Sequence, residues 1–168
     1  MAKLGKAGGV NRFLLISSAG LEMFNPNSPR HGSALRVSKY LRDVLRWKYR
    51  GEQLLRASGV PYTIVRAYSL YNEANAEETK ADTATAVLQG DPEGVGGVIT
   101  RENLARVSVE ALLLNETEGV TFEVLDVRRS LNPDYPDWHK ILREDLAKDP
   151  VLTPTERVQL DKVRRSRV

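Results

Sequence analysis

The stretch WKYRGEQLLRASGVPYTIVRAYSL, residues 47–70, carries the strongest fold signal in this sequence. Its first half continues a helical pattern that starts near Ala34. The residues predicted to lie mostly on one face of this helix are Val37, Leu41, Val44, Leu45, Lys48, Leu54 and Leu55. Gly59 then predicts the end of the helix, because glycine readily adopts the left-handed conformation of a helix C-cap. The second half, YTIVRAYSL, is rich in β-branched and aromatic residues and predicts a buried strand. The stretch therefore predicts a helix, a tight turn and a strand.

An apolar run upstream of this helix predicts a second strand. Residues 13–16, FLLI, are continuously apolar, as expected for a strand that is buried on both faces of a parallel sheet. Residues 13–70 thus predict a strand, a crossover helix and a strand that pair in parallel. The sequence is therefore assigned to the α/β class.

The segments downstream continue this alternation of helices and strands. ATAVLQG and VTFEVLDV predict strands, and TRENLARVSVEALLLN between them predicts an amphipathic helix. Thr100 is its predicted N-cap, and Leu104, Val107 and Ala111 form its predicted inward stripe. The glycine-rich GVGG is predicted as a turn.

The C-terminal part of the chain has a different composition. The segment SLNPDYPDWHK is broken by prolines, and a short helix is predicted after it. A further helix is predicted where Thr153 can cap, Pro154 takes the first helical position and Glu156 closes a capping box. We therefore predict two parts: a core α/β unit, residues 1–129, and a helical C-terminal extension, residues 130–168.

The composition excludes several classes of function. The chain has 168 residues, 41% of them hydrophobic and 28% charged, as in ordinary globular domains. It has no cysteine, which excludes disulfides, thiolate metal ligands and cysteine nucleophiles. His31 and His139 stand far apart in polar surroundings, so no metal site is predicted. No apolar run approaches the length of a membrane-spanning helix.

The net charge of +3 does not indicate nucleic-acid binding. The local excess of cations lies in the tail DKVRRSRV, which we interpret as a solvated helix end because cations are favourable there. A contact between this tail and phosphate is the alternative, and a steep salt dependence of binding would reveal it. Nucleic acid is therefore not an expected partner.

Four segments in this order resemble the atypical short-chain dehydrogenase/reductases: VNRFLLISSAG, KYRGEQLLRASGVPYTIVRAYSL, VITRENLARVSVEALL and TFEVLDV. The branch that they resemble most is the NmrA-like NAD(P)-binding proteins, which include plastid and cyanobacterial members. The resemblance covers residues 2–127 and implies a partial Rossmann-like fold, the second half of the NAD(P)-binding domain. It implies NADP or NAD as the cofactor, and a plastid or cytoplasmic location.

The resemblance also implies which residues line the cofactor. Ser17 and Ser18 would end a central strand near the nicotinamide. Lys48 would occupy the position of the family's active-site lysine, which contacts the cofactor ribose. The turn after the next strand would cover the nicotinamide, and the residues implied there are Arg66, Ala67, Tyr68 and Ser69.

The same residues also have purely structural interpretations. Strand-end serine hydroxyls often satisfy backbone groups. Arg66 ends an apolar strand, which favours a structural ion pair with Glu52 or Glu102. Lys48 lies on an otherwise apolar helix face, which favours the inherited site position over an ordinary exposed lysine.

The sequence departs from the family pattern at three points. The family's catalytic tyrosine would lie four residues before Lys48, where this chain has Val44, and no tyrosine in the chain precedes a lysine by four residues. Because valine cannot donate a proton, the phenol-based reductase mechanism is excluded and no catalytic residue is predicted. Ala67 replaces the proline that usually follows the arginine. The glycine-rich pyrophosphate fingerprint would lie upstream of Ala2 and is not expected within the chain.

Two functional hypotheses follow from these observations. In the first, the chain is a non-catalytic binding, assembly or scaffold protein. Its sheet would then expose an edge that a protein partner or a second copy covers. In the second, it is part of an NAD(P)H-dependent oxidoreductase or redox sensor whose N-terminal half is missing from this chain. The absent tyrosine and fingerprint favour the first hypothesis, whereas turnover with a supplied N-terminal half would favour the second.

Overall fold

The computed structural model describes residues 8–32, 38–71, 83–90, 96–128 and 137–151. Within these residues, six strands form one sheet. The strands are β1 (Phe13–Ser18), β2 (Tyr62–Ala67), β3 (Ser69–Tyr71), β4 (Thr83–Leu88), β5 (Val98–Thr100) and β6 (Val120–Arg128). Their order across the sheet is β1-β2-β6-β5-β3, and β4 also pairs with β6.

The centre of the sheet is parallel. β1 pairs with β2 from Phe13 opposite Tyr62 to Ser18 opposite Ala67, and β2 pairs in the same direction with β6. The helix α1 (Lys39–Arg56) lies between β1 and β2 in the chain and packs against both. The predicted strand–helix–strand unit and the α/β class are therefore confirmed.

The predicted C-terminal cap of α1 is confirmed, and the structure shows an N-terminal cap that was not predicted. The helix begins after Ser38, whose hydroxyl accepts a hydrogen bond of 3.3 Å from the backbone N–H of Leu41. Gly59 follows its end with a φ angle of 72°, a left-handed conformation that favours glycine.

The second helix confirms its predicted cap and inward stripe. This helix, α2 (Arg101–Leu113), begins after Thr100, whose hydroxyl accepts a hydrogen bond of 3.0 Å from the backbone N–H of Asn103. Its three predicted inward residues are all buried. In the C-terminal part, α3 (Trp138–Lys140) continues into one π-helical turn, Ile141–Asp145.

The two faces of the sheet differ in chemistry because side chains alternate along each strand. One face packs against α2 and forms the apolar core. Its buried side chains are Val65, Ala67, Val87, Ile99, Leu104, Val107, Ala111, Val120, Phe122, Val124, Ile141 and Leu142. The other face is covered by α1 and carries the buried polar residues Arg66, Thr121 and Glu123.

Part of the predicted inward face of α1 was wrong. Leu45 and Leu55 are buried as expected, but Leu41 and Leu54 are each 46% exposed. The buried side of the helix instead includes Glu52, which is completely inaccessible. The apolar pattern failed here because α1 covers a charged patch of the sheet, so a carboxylate takes an inward position.

Two strand predictions also need correction. β1 was expected to be buried on both faces, yet Ile16 is 43% exposed. The reason is that β1 is the outermost strand of the sheet formed by the described residues. The short strand β5 was not predicted, because it has only three residues and the last of them, Thr100, is also the cap of α2.

Several predictions concern residues outside the described ranges. The segment AKLGKAGG, residues 2–9, also predicts the end of a helix, and its residues 2–7 lie outside the described ranges. The first two residues of GVGG and the capped helix that starts at Thr153 lie outside them as well. The two-part division at residue 129 stays a prediction. Within the described residues, however, Ile141 and Leu142 of the predicted extension belong to the apolar core.

Candidate cofactor-binding site

The carboxyl ends of β1 and β2 bring most of the predicted site residues together. Parallel strands end at the same edge of a sheet, and Ser18 stands opposite Ala67 in the β1–β2 register. Lys48 reaches this edge from α1, and its ammonium Nζ donates a hydrogen bond of 2.7 Å to Ser18 Oγ. The lysine and the strand-end serine therefore form one polar pair at a sheet edge where Rossmann-type folds bind ligands.

Ser17 precedes Ser18 on β1 and carries a second hydroxyl, which strand alternation directs to the opposite face of the sheet. Its side chain is only 4% exposed, and among the described residues its Oγ has no hydrogen-bond partner. A buried hydroxyl without a partner is unfavourable, so Ser17 does not simply satisfy a nearby backbone group as its structural interpretation supposed.

The turn after β2 is held by backbone hydrogen bonds. The N–H of Tyr68 donates to the carbonyl of Val124 at 3.2 Å, and the N–H of Ser69 donates to Gly97 at 3.3 Å. Ala67 itself is buried and accepts a hydrogen bond from the N–H of Ala19. This turn is therefore anchored to three neighbouring segments although it lacks the proline of the family pattern.

Arg66 lies behind this edge, in a buried cluster with three carboxylates. It is 2% exposed and binds Glu52 through two hydrogen bonds of 2.9 and 3.1 Å. Its remaining NH group donates to Glu22 at 2.9 Å and to Glu123 at 3.0 Å. The ion pair with Glu52 is thus present, whereas Glu102 is not a partner of this arginine.

The charge state of Arg66 follows from these contacts. Burial alone lowers its pKa, but the bonds to Glu52 and the charges of the other carboxylates raise the pKa above its usual value. The guanidinium therefore stays charged. Since protein carboxylates already occupy its donors, we assign it a structural role here, and its predicted contact with the cofactor stays untested.

A second cluster ties the C-terminal segment to the same face of the sheet. Asp149 accepts hydrogen bonds from Arg56 Nε at 2.9 Å, from the hydroxyl of Tyr62 at 3.0 Å, and from the N–H and hydroxyl of Thr121 at 2.9 and 2.6 Å. Arg56 also bonds Glu52 at 3.2 Å, which joins the two clusters. Burial lowers the pKa of Arg56, but Asp149 and Glu52 raise it overall.

A polar cavity of about 460 Å³ lies beside the two clusters. Its lining includes the charged groups of both clusters and the side chains of Tyr49, Gln53 and Gln89. The guanidinium groups in its wall are already bonded to carboxylates, so they do not offer a free phosphate site. We therefore place the candidate cofactor site at the Ser18–Lys48 edge and not in this cavity.

The surroundings of Tyr62 predict that the folded state loses stability at alkaline pH. Burial and the adjacent Asp149 raise the pKa of Tyr62 above the ordinary tyrosine value of about 10, so the folded state keeps the phenol neutral. The unfolded state loses this proton near pH ~10, so the stabilisation is complete below that pH and is lost as pH rises. When the pH rises from about 8 to about 11, the melting temperature of Tyr62→Phe should therefore fall by less than that of the wild type.

The control for this prediction is Tyr40→Phe, because Tyr40 is 80% exposed. Its melting temperature should follow that of the wild type across the same pH range. A Tyr62→Phe variant with an unchanged alkaline slope would contradict the prediction.

The described residues offer no alternative metal-based site. They contain no group of three or more His, Asp or Glu side chains arranged to hold a metal ion. The imidazole of His139 stacks on Trp138 at 3.6 Å and bonds Asp137 at 2.9 Å, at the surface of α3. Among the described helices, none combines the length and apolar content that crossing a bilayer requires.

Sequence reasoning missed three carboxylates of the clusters, Glu22, Glu123 and Asp149. One signal was available: Glu123 interrupts the apolar strand VTFEVLDV, and a charge inside a buried strand needs a partner. Glu22 lies in one turn of 3-10 helix, Leu21–Phe24, and Asp149 in an irregular polar segment, and the local pattern of neither indicates a buried ion pair.

The parallel sheet, its covering helices and the polar pair at the strand ends together define a Rossmann-type nucleotide-binding fold. The profile of a family described as NAD(P)H-binding matches residues 2–114. The chain belongs to this NAD(P)H-binding family. The predicted family, fold class and cofactor class, NADP or NAD, are thereby confirmed.

Three curated relatives of this chain are plant proteins. An uncharacterised chloroplastic protein of Arabidopsis thaliana is 32% identical over 123 residues, 73% of this chain and 33% of that protein. Sanguinarine reductase of Eschscholzia californica is 35% identical over 82 residues, 49% and 29% of the two chains. Protein TIC 62, chloroplastic, of Pisum sativum is 25% identical over 150 residues, 89% and 26% of the two chains. The chain thus spans a third or less of these relatives.

Solved structures give the same fold. A putative NAD-dependent epimerase/dehydratase from Bacillus halodurans has a TM-score of 0.56 and 26% identity, covering 76% of this chain and 51% of that one. A short-chain dehydrogenase/reductase from Veillonella parvula, in complex with NADP, has a TM-score of 0.51 and 19% identity, covering 74% and 54%. The resemblance to short-chain dehydrogenase/reductases is therefore confirmed at the level of fold and family.

Proposed function

We propose that this chain forms the nicotinamide side of an NAD(P)H-binding site and acts as a binding or assembly component without catalysis of its own. The observation that carries the proposal is the 2.7 Å bond from Lys48 to Ser18 at the carboxyl end of β1. An ammonium and a hydroxyl at one sheet edge suit the ribose and amide oxygens of a nicotinamide nucleotide. The hydroxyl of Ser17, which is buried and has no partner among the described residues, lies one residue earlier on the strand. The chloroplastic relatives support a plastid location.

The surroundings of Lys48 support the non-catalytic part of the proposal. One helical turn before it stands Val44, which offers no proton to a substrate. The adjacent Tyr49 packs against Phe24 with ring centroids 6.3 Å apart and lines the cavity on the charged face. Burial and Glu22 raise the pKa of Tyr49, which makes it a weaker acid. Neither residue supplies the phenol of the family mechanism.

The free edge of β1 supports a role in assembly. In the described part of the chain, β1 pairs with β2 on one side and with no strand on the other. An unpaired edge exposes backbone donors and acceptors, and Ile16 adds exposed apolar surface. A strand from a protein partner or from a second copy would satisfy these groups by pairing with β1.

An oxidoreductase is the second candidate function. Sanguinarine reductase is named for a reduction, and its 35% identity over 82 residues favours this candidate. Because the chain spans only part of such relatives, turnover would require the remaining part of the domain to be supplied. Oxidation of NADPH by the combined parts, but not by the chain alone, would support this alternative.

Binding of NADPH should depend on Lys48. We expect the intact chain to bind NADPH saturably and Lys48→Met to weaken binding by roughly tenfold or more, because a charge-assisted hydrogen bond contributes about 1.5–3 kcal/mol. Isothermal titration with NADPH and NADH measures the effect. Lys140→Met is the matched control, since Lys140 lies on α3, distant in the chain from the site, with only a 3.9 Å contact to Glu144.

Two outcomes would contradict the proposal. If folded wild-type chain binds neither cofactor, it does not form the site without further protein. If Lys48→Met binds as tightly as the wild type and the control, the Ser18–Lys48 pair is not the site. Binding without any NADPH oxidation supports the non-catalytic function, whereas oxidation by the chain alone rejects it.

A further inference from the structure

The first three turns of α1 carry an unusual concentration of cations. Between residues 39 and 50 the chain has five Lys or Arg side chains and one carboxylate, Asp43. Lys48 of this set is bonded to Ser18. Among the described residues, none of the five forms an ion pair with a carboxylate.

This arrangement is unfavourable for the helix by itself. The N-terminal end of a helix carries a partial positive charge, which favours Asp and Glu there and disfavours Lys and Arg. α1 has no acidic residue in its first turn. An external anion at this surface would offset both the dipole and the repulsion among the cations. Local electrostatics therefore indicate an anionic partner.

Exposed aromatic and aliphatic side chains lie beside these cations. Tyr40, Trp47 and Leu54 are spaced by seven residues, two helical turns, and are 80%, 48% and 46% exposed. The guanidinium carbon of Arg50 lies 5.0 Å from the centre of the Trp47 ring. We call this surface the basic–aromatic face, which comprises Lys39, Tyr40, Arg46, Trp47, Arg50 and Leu54.

We propose that the basic–aromatic face of α1 binds the surface of an anionic lipid bilayer, with the helix axis parallel to the membrane plane. Lys39, Arg46 and Arg50 contact lipid phosphates, and the exposed Asp43 reduces the net charge of the face without reversing it. Tyrosine and tryptophan favour the headgroup region, because each combines an apolar ring with a polar group.

The geometry favours a bilayer over a nucleic acid. Base stacking requires an open aromatic face, whereas Arg50 covers one face of Trp47. Leu54 adds aliphatic area, which a bilayer interface accommodates and a phosphate backbone does not. Lys48 points to Ser18 on β1, so contact with a membrane leaves the candidate cofactor site open. The proposal does not depend on cofactor binding.

The test is cosedimentation of the intact chain with vesicles of phosphatidylcholine containing about one-third phosphatidylglycerol, compared with pure phosphatidylcholine. We expect binding to the anionic vesicles that weakens with salt. The double variant Arg46→Glu/Trp47→Ser should weaken it by more than about tenfold. The matched control, Arg106→Glu/Val109→Ser, makes the same change of charge and polarity on the exposed side of α2 and should bind like the wild type. Circular dichroism checks that each variant is folded.

A spectroscopic readout reports on the face directly. The chain has two tryptophans, so Trp138→Phe leaves Trp47 as the single tryptophan fluorophore. We expect its emission to shift to shorter wavelength with anionic vesicles and to stay unchanged with neutral ones. Absence of wild-type binding, equal binding to neutral vesicles, or equal loss in the control variant would overturn the proposal.

Other occupants of this face give distinct results. A dimer in light scattering that Arg46→Glu/Trp47→Ser converts to a monomer would identify a second copy and overturn the lipid assignment. Binding to an acidic polypeptide such as polyglutamate as tight as to anionic vesicles would show that charge alone accounts for the affinity, which also overturns it.

Discussion

Replacing Arg66 by methionine is expected to lower the free energy of unfolding by about 3–5 kcal/mol. The variant leaves the carboxylates of Glu22, Glu52 and Glu123 close together without their shared guanidinium. Glu52 and Glu123 are completely buried, so water cannot replace the lost partner. Urea denaturation of wild type and variant at neutral pH measures the difference.

Arg143→Met is the control for this prediction. Arg143 also bonds a carboxylate, Glu110, at 2.6 Å, but its side chain is 47% exposed. Its removal should cost less than about 1 kcal/mol, because water replaces an exposed ion pair. Similar losses in both variants would contradict the assignment of Arg66 as the centre of a buried cluster.

A double variant separates the effect of losing the arginine from the effect of leaving its buried carboxylates without a counter-charge. Arg66→Met/Glu52→Gln removes the carboxylate with the closest contacts to the guanidinium. It should be more stable than Arg66→Met alone, since fewer uncompensated charges remain buried. If the double variant instead loses as much free energy of unfolding as Arg66→Met and Glu52→Gln lose together when measured separately, the residues do not act as one cluster.

Replacing Asp149 by alanine is expected to lower the free energy of unfolding by about 2–4 kcal/mol. The change removes one of the two carboxylates that bind Arg56. It also removes the acceptor for the hydroxyl of Tyr62 and for the N–H and hydroxyl of Thr121. It also weakens the attachment of the C-terminal segment, whose Ala147 exchanges two hydrogen bonds with the side chain of Gln89. Thermal unfolding measures the loss.

Limited proteolysis should locate the effect. Cleavage within residues 137–151 should be faster in Asp149→Ala than in the wild type, because local opening of the segment becomes less costly. Asp145→Ala, an exposed position on the same segment, is the control and should leave the cleavage rate unchanged. Equal cleavage rates in the wild type, Asp149→Ala and Asp145→Ala would contradict the conclusion that Asp149 holds this segment on the sheet.

The strand–helix–strand frame could be predicted because its signals are local. Apolar runs, the Gly59 cap and the Thr100 cap act over a few residues, and the structure confirms both caps and the strands that the runs predict, although β1 is not buried on both faces. The proximity of Lys48 to the end of β1 followed from family resemblance combined with this frame. The role of Ser17, Ser18 and the turn after β2 in cofactor binding stays a prediction.

The partners of Arg66 could be predicted only in part. Glu52 precedes it by fourteen residues across one helix–turn–strand unit, so the pair was a local inference. Glu22 and Glu123 reach the same guanidinium from a loop and from a strand 57 residues further along the chain. No periodicity links positions so far apart: the pairing of β2 with β6 brings Glu123 to Arg66, and the fold of the segment after β1 brings Glu22.

The sequence by itself determined the main helices and strands of this protein, their order, the α/β class and the absence of a phenol one turn before Lys48. Only the tertiary structure decided which face of α1 is buried, which carboxylates surround Arg66 and how Asp149 holds the C-terminal segment. The physical reason is the separation along the chain between the residues that interact. Caps and amphipathic patterns are properties of neighbouring residues, whereas the pairing of buried charges depends on the register of the sheet, to which distant segments contribute together.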